Sequence, residues 1–181
     1  GFGDGIEEDS AAVRLFAASG INFFVSSSFS KSFGLYGERV GALSIVTESR
    51  EVAARVLSQV KRVIRTNYSN PPTHGASVVG AVLASPELRT MWEQELGQMR
   101  ERIRNMRHAF VSKLAEKGAV RDFGFVAKQC GMFSYSGLTA EQVERLKNDF
   151  AIYAVSTGRI CVAALNDNNL DAVTQAIVEV L

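Results

Sequence analysis

The residues best suited to chemistry lie in SSSFSKSFGLYGERVG, Ser26 to Gly41. This stretch follows an apolar run, Ile21 to Val25, that reads as a buried strand. It sets Lys31 among serines and glycines, with Arg39 eight residues on. An ordinary solvated lysine needs no such company. Next to apolar strands and a second cation, the ammonium form is disfavoured by desolvation and by like charge. The neutral amine that results is a nucleophile for carbonyl compounds. Ser28, Ser30 and Arg39 offer hydroxyl and guanidinium donors suited to a phosphate, which arginine can grip through two parallel hydrogen bonds.

The elements that must position these groups follow from periodicity and caps. Ile6 to Ala18 reads as a short helix closed by Gly20. Strands are expected at Ile21–Ser27 and Val40–Val46, on either side of the lysine loop. Thr47 is placed to cap a helix whose apolar positions are Val52, Val56, Val60, Val63 and Ile64. The sequence NYSNPP ends that helix, because consecutive prolines cannot continue its hydrogen-bond ladder. Gly75 to Ala84 reads as a buried helix of small residues. Ser85-Pro86-Glu87 is a strong helix start, and the apolar stripe Met91, Leu96, Met99, Ile103, Met106, Phe110, Leu114 carries that helix to about Lys117. Such a helix is about 48 Å long, long enough to join two domains. Beyond it, strands near Met132–Tyr135, Ile152–Val155 and Ile160–Ala164 alternate with helices at Ala140–Phe150 and about Asn169–Leu181. Thr139 and Gln142 form a capping box for the first of these helices. The expected fold class is α/β. A larger domain's end spans residues 1–98, a small α/β domain spans 99–181, and the helix over about 86–117 bridges them.

Composition narrows the function classes. The 181 residues are 46% apolar and 22% charged, with net charge +1, an ordinary globular balance that gives no support for nucleic-acid binding. No apolar run approaches the roughly 20 residues of a membrane span. Cys130 and Cys161 form no metal or CxxC spacing, His74 and His108 lack a further ligand, and no metal site is expected. The cations of the long helix are interleaved with Glu93, Glu95 and Glu101, which reads as a solvated, ion-paired face. A cytoplasmic protein with reduced thiols is the default. The opening GFGDGIEED has no Met and loop chemistry, which suggests a piece of a longer chain.

An imine-forming lysine beside a phosphate site is what pyridoxal phosphate demands. The segment SFSKSFGLYGERVG resembles the cofactor-lysine segment of the class I aspartate and aromatic amino acid aminotransferases, of pyridoxal-phosphate fold type I. GFGDGIEED, IRTNYSNPP, QCGMFSYSGL and STGRICVAAL resemble further segments of that family in matching order. Together they cover essentially the whole chain as a C-terminal portion of the fold.

The resemblance implies that Lys31 carries the pyridoxal phosphate Schiff base and then shuttles the proton at the substrate's Cα. It implies that Ser28, Ser30 and Arg39 bind the phosphate and that Arg159 binds the substrate α-carboxylate. Arg65, with Ser69 near it, would read a distal carboxylate from the neighbouring subunit of a homodimer, and Phe133 would pack beside the substrate and Arg159. Two guanidiniums, one for each end of a dicarboxylic amino acid, suit aspartate or glutamate. Arg65 is shared by family members of both specificities, so aspartate and aromatic substrates both stay open, with a 2-oxo acid such as 2-oxoglutarate as acceptor. The family's partner for the pyridine nitrogen falls on segments before Gly1, so residues 1–181 alone are expected to be inactive. Three other readings stand beside this one: a lyase or decarboxylase using the same cofactor, a non-catalytic aminotransferase-like fragment, and an S-x-x-K acyl enzyme with Ser28 as nucleophile.

Overall fold

A computed structural model describes residues 1–181, which divide into two compact units, one of Gly1 and Gly5–Leu96 and one of Phe2–Asp4 and Gly97–Leu181. The first unit opens with two short helices, α1 (Ile6–Asp9) and α2 (Ala11–Ala18), where the sequence predicts one. The break falls at Ser10, whose hydroxyl donates to the Glu7 carbonyl at 2.8 Å and competes with the helical ladder. Gly20, at φ +72°, follows α2 in the left-handed region.

Strands β1 (Phe23–Ser28) and β2 (Gly41–Val46) pair antiparallel in a register from Phe23↔Val46 to Ser28↔Gly41. Gly41 is required there: a Cβ would lie 2.6 Å from the Ser27 carbonyl oxygen. Within residues 1–181 the first strand is not buried as expected, Ile21 being 48% and Phe24 71% exposed. Two strands without further neighbours cover little of each other's faces.

Helix α3 (Arg50–Asn67) is capped by Ser49, whose hydroxyl accepts from the Val52 N–H at 3.2 Å. Thr47, the expected cap, instead donates its hydroxyl to the Ser49 carbonyl. Val52, Val56, Val60 and Ile64 are half-buried on one face, while Leu57 and Val63 are exposed. Helix α4 (His74–Ala84) buries only Gly75 and Val79, so within residues 1–181 it is not the buried helix expected. At Gly75 a Cβ would lie 3.1 Å from Val40, so a close approach there calls for a small residue.

Helix α5 (Pro86–Glu116) starts as its sequence predicts: the Ser85 hydroxyl accepts from the Leu88 N–H, with Pro86 at the first position. Leu96, Ile103, Phe110 and Leu114 are buried along it, whereas Met91 and Met99 lie on the exposed flank of the stripe.

The second unit holds the principal core. Ile103, Phe110 and Leu114 of α5 pack with Phe123 and Val126, with residues of α7 (Ala140–Phe150), and with residues of α8 (Leu170–Val180). A short helix, α6 (Gly124–Ala127), absent from the sequence reading, contributes Val126 to this core. Strands β3 (Phe133–Tyr135) and β4 (Arg159–Cys161) pair antiparallel, Phe133↔Cys161 and Tyr135↔Arg159. The other edge of β3 meets a side chain: Gln129 donates Nε2–H to the Tyr135 carbonyl at 2.9 Å and accepts the Tyr135 N–H at 2.8 Å.

The capping box of α7 is present in both halves, Thr139 Oγ1 accepting from the Gln142 N–H and Gln142 Oε1 from the Thr139 N–H. The strand predicted at Ile152–Val155 does not form. The chain leaves α7 through Ala151, at φ 54°, with the Ile152 N–H returning to the Leu146 carbonyl. The exposure alternates as in a strand, Ile152 and Ala154 half-buried, Tyr153 and Val155 exposed, but no ladder accompanies it. The last predicted strand is shorter than expected, ending at Cys161, and Val162–Ala164 form a 3₁₀ turn. Arg102 secures that turn by donating to the Ala163 and Leu165 carbonyls. No helix is long and apolar enough to cross a membrane.

Candidate active site

In the first unit, the chain passes from β1 into a loop of turns that returns to β2 at Gly41. The Phe29 N–H donates to the Val40 carbonyl and draws the two ends of that loop together. Ser28 and Ser30 sit at its start with their hydroxyl oxygens 3.1 Å apart, and the Ser30 N–H also donates to Ser28 Oγ. Lys31 comes next, exposed, with its Nζ 3.6 Å from the centroid of the Tyr36 ring. Arg39 closes the loop in the left-handed region, at φ 53°, and donates Nη1–H to the Tyr36 carbonyl at 2.7 Å. Its guanidinium carbon is 5.6 Å from the same ring. Tyr36 is therefore the hub of the loop, holding one cation by its π-face and the other by its carbonyl. Sequence reading passes over it; an aromatic between two cations in a short glycine-containing loop is the signal that points to it.

The exposure of Lys31 corrects one expectation. Residues 1–181 do not supply the desolvation that the apolar strands suggested, because those strands are themselves exposed. The loop is nonetheless braced. Trp92 of α5 donates its indole N–H to the Ser32 carbonyl at 2.6 Å and stacks on Phe33 at 4.5 Å, with Phe29 edge-on to Phe33 at 5.3 Å.

The S-x-x-K reading does not survive this geometry. That chemistry needs its serine at the start of a helix with the lysine one turn on, whereas Ser28 ends β1 and Lys31 turns to Tyr36.

Also in the first unit, Arg65 occupies the last turn of α3 and donates to the Ser69 hydroxyl. Ser69, at φ 69°, stands just beyond the helix. The pair is local and exposed, presenting a guanidinium at a helix C-terminus, where a cation is favoured by the macrodipole.

In the second unit, Arg159 and Phe133 share one face of the β3–β4 pair. The Arg159 guanidinium carbon lies 5.0 Å from the Phe133 ring centroid. Both residues line a cavity of about 420 Å³ whose other walls include Phe110, Ile160, Cys161 and Ile177. An exposed guanidinium on an aromatic plate beside an apolar hollow can bind a carboxylate whose carbon skeleton is turned toward the hollow. Structure thus brings Ser28, Ser30, Lys31 and Arg39 into one loop, pairs Arg65 with Ser69, and pairs Arg159 with Phe133.

Comparisons with known proteins identify the chain's relatives. The model of the family described as aminotransferase class I and II matches residues 1–177. The chain is 78% identical to an aspartate aminotransferase of Pseudomonas aeruginosa, over all of this chain and 46% of that protein. It is 48% identical to an aromatic-amino-acid aminotransferase of Escherichia coli, again over all of this chain and 46% of the relative. Among solved structures, an aromatic-amino-acid aminotransferase from Burkholderia pseudomallei, covalently bound to pyridoxal phosphate, superposes with a TM-score of 0.96 at 70% identity. That superposition covers 99% of this chain and 45% of that one. The chain thus spans a little under half the length of these relatives.

Proposed function

The chain belongs to the class I and II aminotransferase family, and from that premise we propose that the whole protein is a pyridoxal phosphate-dependent aminotransferase. It moves the amino group of aspartate or of aromatic amino acids to a 2-oxo acid such as 2-oxoglutarate. Relatives named for both substrate classes support the pair. The observation that carries the reading is the loop in which Lys31 and Arg39 meet at Tyr36 beside the Ser28–Ser30 hydroxyl pair.

The donor set fits the cofactor. An aldehyde needs an amine, and Lys31 is an exposed amine. A phosphate needs hydroxyl and guanidinium donors, and Ser28, Ser30 and Arg39 supply them. Arg39 engages the Tyr36 carbonyl through Nη1, while a guanidinium carries five N–H donors in a planar fork. When bound, pyridoxal phosphate supplies an aldehyde for amines and a ring that takes up the electron pair released at a substrate's Cα.

The chain's own residues do the rest. Lys31 Nζ would be the nucleophile that holds the cofactor's aldehyde and, when free, the base that moves the proton at Cα. Ser28, Ser30 and Arg39 would hold the phosphate. Arg159 holds the α-carboxylate against Phe133, and Arg65 with Ser69 receives a distal carboxylate from the neighbouring subunit of a homodimer. A cytoplasmic location accords with this activity.

The test is the full-length protein with Lys31→Ala. The variant is expected to lose the covalent, borohydride-trapped pyridoxal adduct and transamination together. Normal turnover in the variant overturns the reading.

A further inference from the structure

Arg159 owes its place to the turn before it, and that turn is tied down by one buried serine. Ser136 is fully buried. Its hydroxyl donates to the Gly158 carbonyl at 2.7 Å, and its backbone N–H donates to the same oxygen at 2.9 Å. The hydroxyl oxygen in turn accepts the Leu138 N–H at 3.3 Å.

The two segments approach so closely that a Cβ on Gly158, at φ +80°, would lie 2.7 Å from the Leu138 carbonyl oxygen. Arg121 holds the Ser136 segment from the other side, donating to the Ser136 and Gly137 carbonyls at 3.2 and 2.8 Å. The Gly158 N–H returns to the Val155 carbonyl at 2.8 Å, which closes the turn.

We propose that Ser136 is a positioning residue for Arg159, its hydroxyl setting the backbone from which the carboxylate-binding guanidinium emerges. The peptide that joins Gly158 to Arg159 carries the carbonyl on which Ser136 acts, so a rotation of that peptide turns the Arg159 side chain directly. The backbone N–H of Ser136 persists in any variant. What the hydroxyl adds is a second donor on the same oxygen and an acceptor for the Leu138 N–H, which otherwise is left unpaired in the interior. Arg159 makes its cation–π contact with Phe133 from this fixed origin. The inference rests on the proposed role of Arg159 as the α-carboxylate group.

The test uses the full-length enzyme carrying Ser136→Ala, Ser136→Thr or Arg159→Leu. Calorimetry measures succinate affinity, and steady-state kinetics with aspartate separates KM from kcat. Ser136→Ala is expected to weaken succinate and raise KM about tenfold, the scale of one lost hydrogen bond, with kcat changed less than about twofold. Ser136→Thr, which keeps the hydroxyl, is expected to restore binding. Wild-type succinate affinity in Ser136→Ala, with binding lost in Arg159→Leu, sinks the positioning role alone. Wild-type affinity in Arg159→Leu sinks the carboxylate role and the positioning role with it. A fall in kcat with KM unchanged in Ser136→Ala also overturns the proposal.

Discussion

The Nζ of Lys31 stands 3.6 Å from the centre of the Tyr36 ring, while the carbonyl of that same tyrosine accepts from Arg39. One residue thus serves both cations through different atoms, and substitution separates the two roles. Tyr36→Ala removes the ring and keeps the carbonyl. An exposed cation–π contact is worth about 0.5–1 kcal/mol, so in the full-length protein stripped of pyridoxal phosphate Lys31 is expected to react about two- to fivefold faster with an amine-directed reagent, measured by peptide mass spectrometry. Tyr36→Phe is expected to leave the rate unchanged. Equal rates in the Ala variant show that the ring does not restrain the amine.

Arg65 and Ser69 form an exposed pair at the end of α3, which makes the distal-carboxylate role separable from folding. In the full-length enzyme, Arg65→Leu is expected to lower kcat/KM for aspartate by at least about a hundredfold, the scale of about 3 kcal/mol for a charge-assisted pair, with phenylalanine changed far less. Equal losses for both substrates refute the role.

Acid sensitivity has an identifiable contributor in the second unit. The Asp171 carboxylate accepts from Lys113 at 3.1 Å and from Lys117 at 3.2 Å, and these bonds hold its carboxyl below the usual carboxylate range. A carboxyl depressed in the folded state stabilises fully above its unfolded pKa, near about 3.9. That contribution is lost as pH falls through the lower folded value. The melting temperature of the wild type is therefore expected to fall more steeply below about pH 4 than that of Asp171→Asn, with the difference shrinking in high salt. Parallel melting curves for the two proteins across that range contradict the assignment.

Phe110 is fully buried on α5 and meets Phe123 edge-on at 6.4 Å. Phe110→Ala removes a ring from the centre of the second unit's core and is expected to cost about 3–5 kcal/mol in urea unfolding. A loss under about 1 kcal/mol means that the core collapses around the gap more readily than a close-packed interior allows.

The parts of this molecule that can be read from sequence are those whose signal is local. The capping box of Thr139 and Gln142 and the Ser85-Pro86 helix start are set by residues a turn apart, and both form as read. The family resemblance, spread over five segments, agrees with the matched family across residues 1–177. Burial is different, because it depends on what lies across space. Ile21–Val25 and Gly75–Ala84 have interior composition, yet Phe24 is 71% exposed and α4 buries two residues. Ile152–Val155 has strand alternation without a ladder, since hydrogen-bond partners cannot be inferred from one strand's own pattern. Tyr36 and Ser136 escape sequence reading for a related reason: each acts through a contact or carbonyl whose location depends on a turn.

The side-chain amide of Gln129 lies along β3 as a counterfeit peptide, meeting Tyr135 with one donor and one acceptor. A second copy of this ribbon arriving at that margin finds those two groups already taken, so lateral growth into a shared sheet is discouraged there. The Tyr135 N–H and carbonyl are therefore not open to a further strand at that margin.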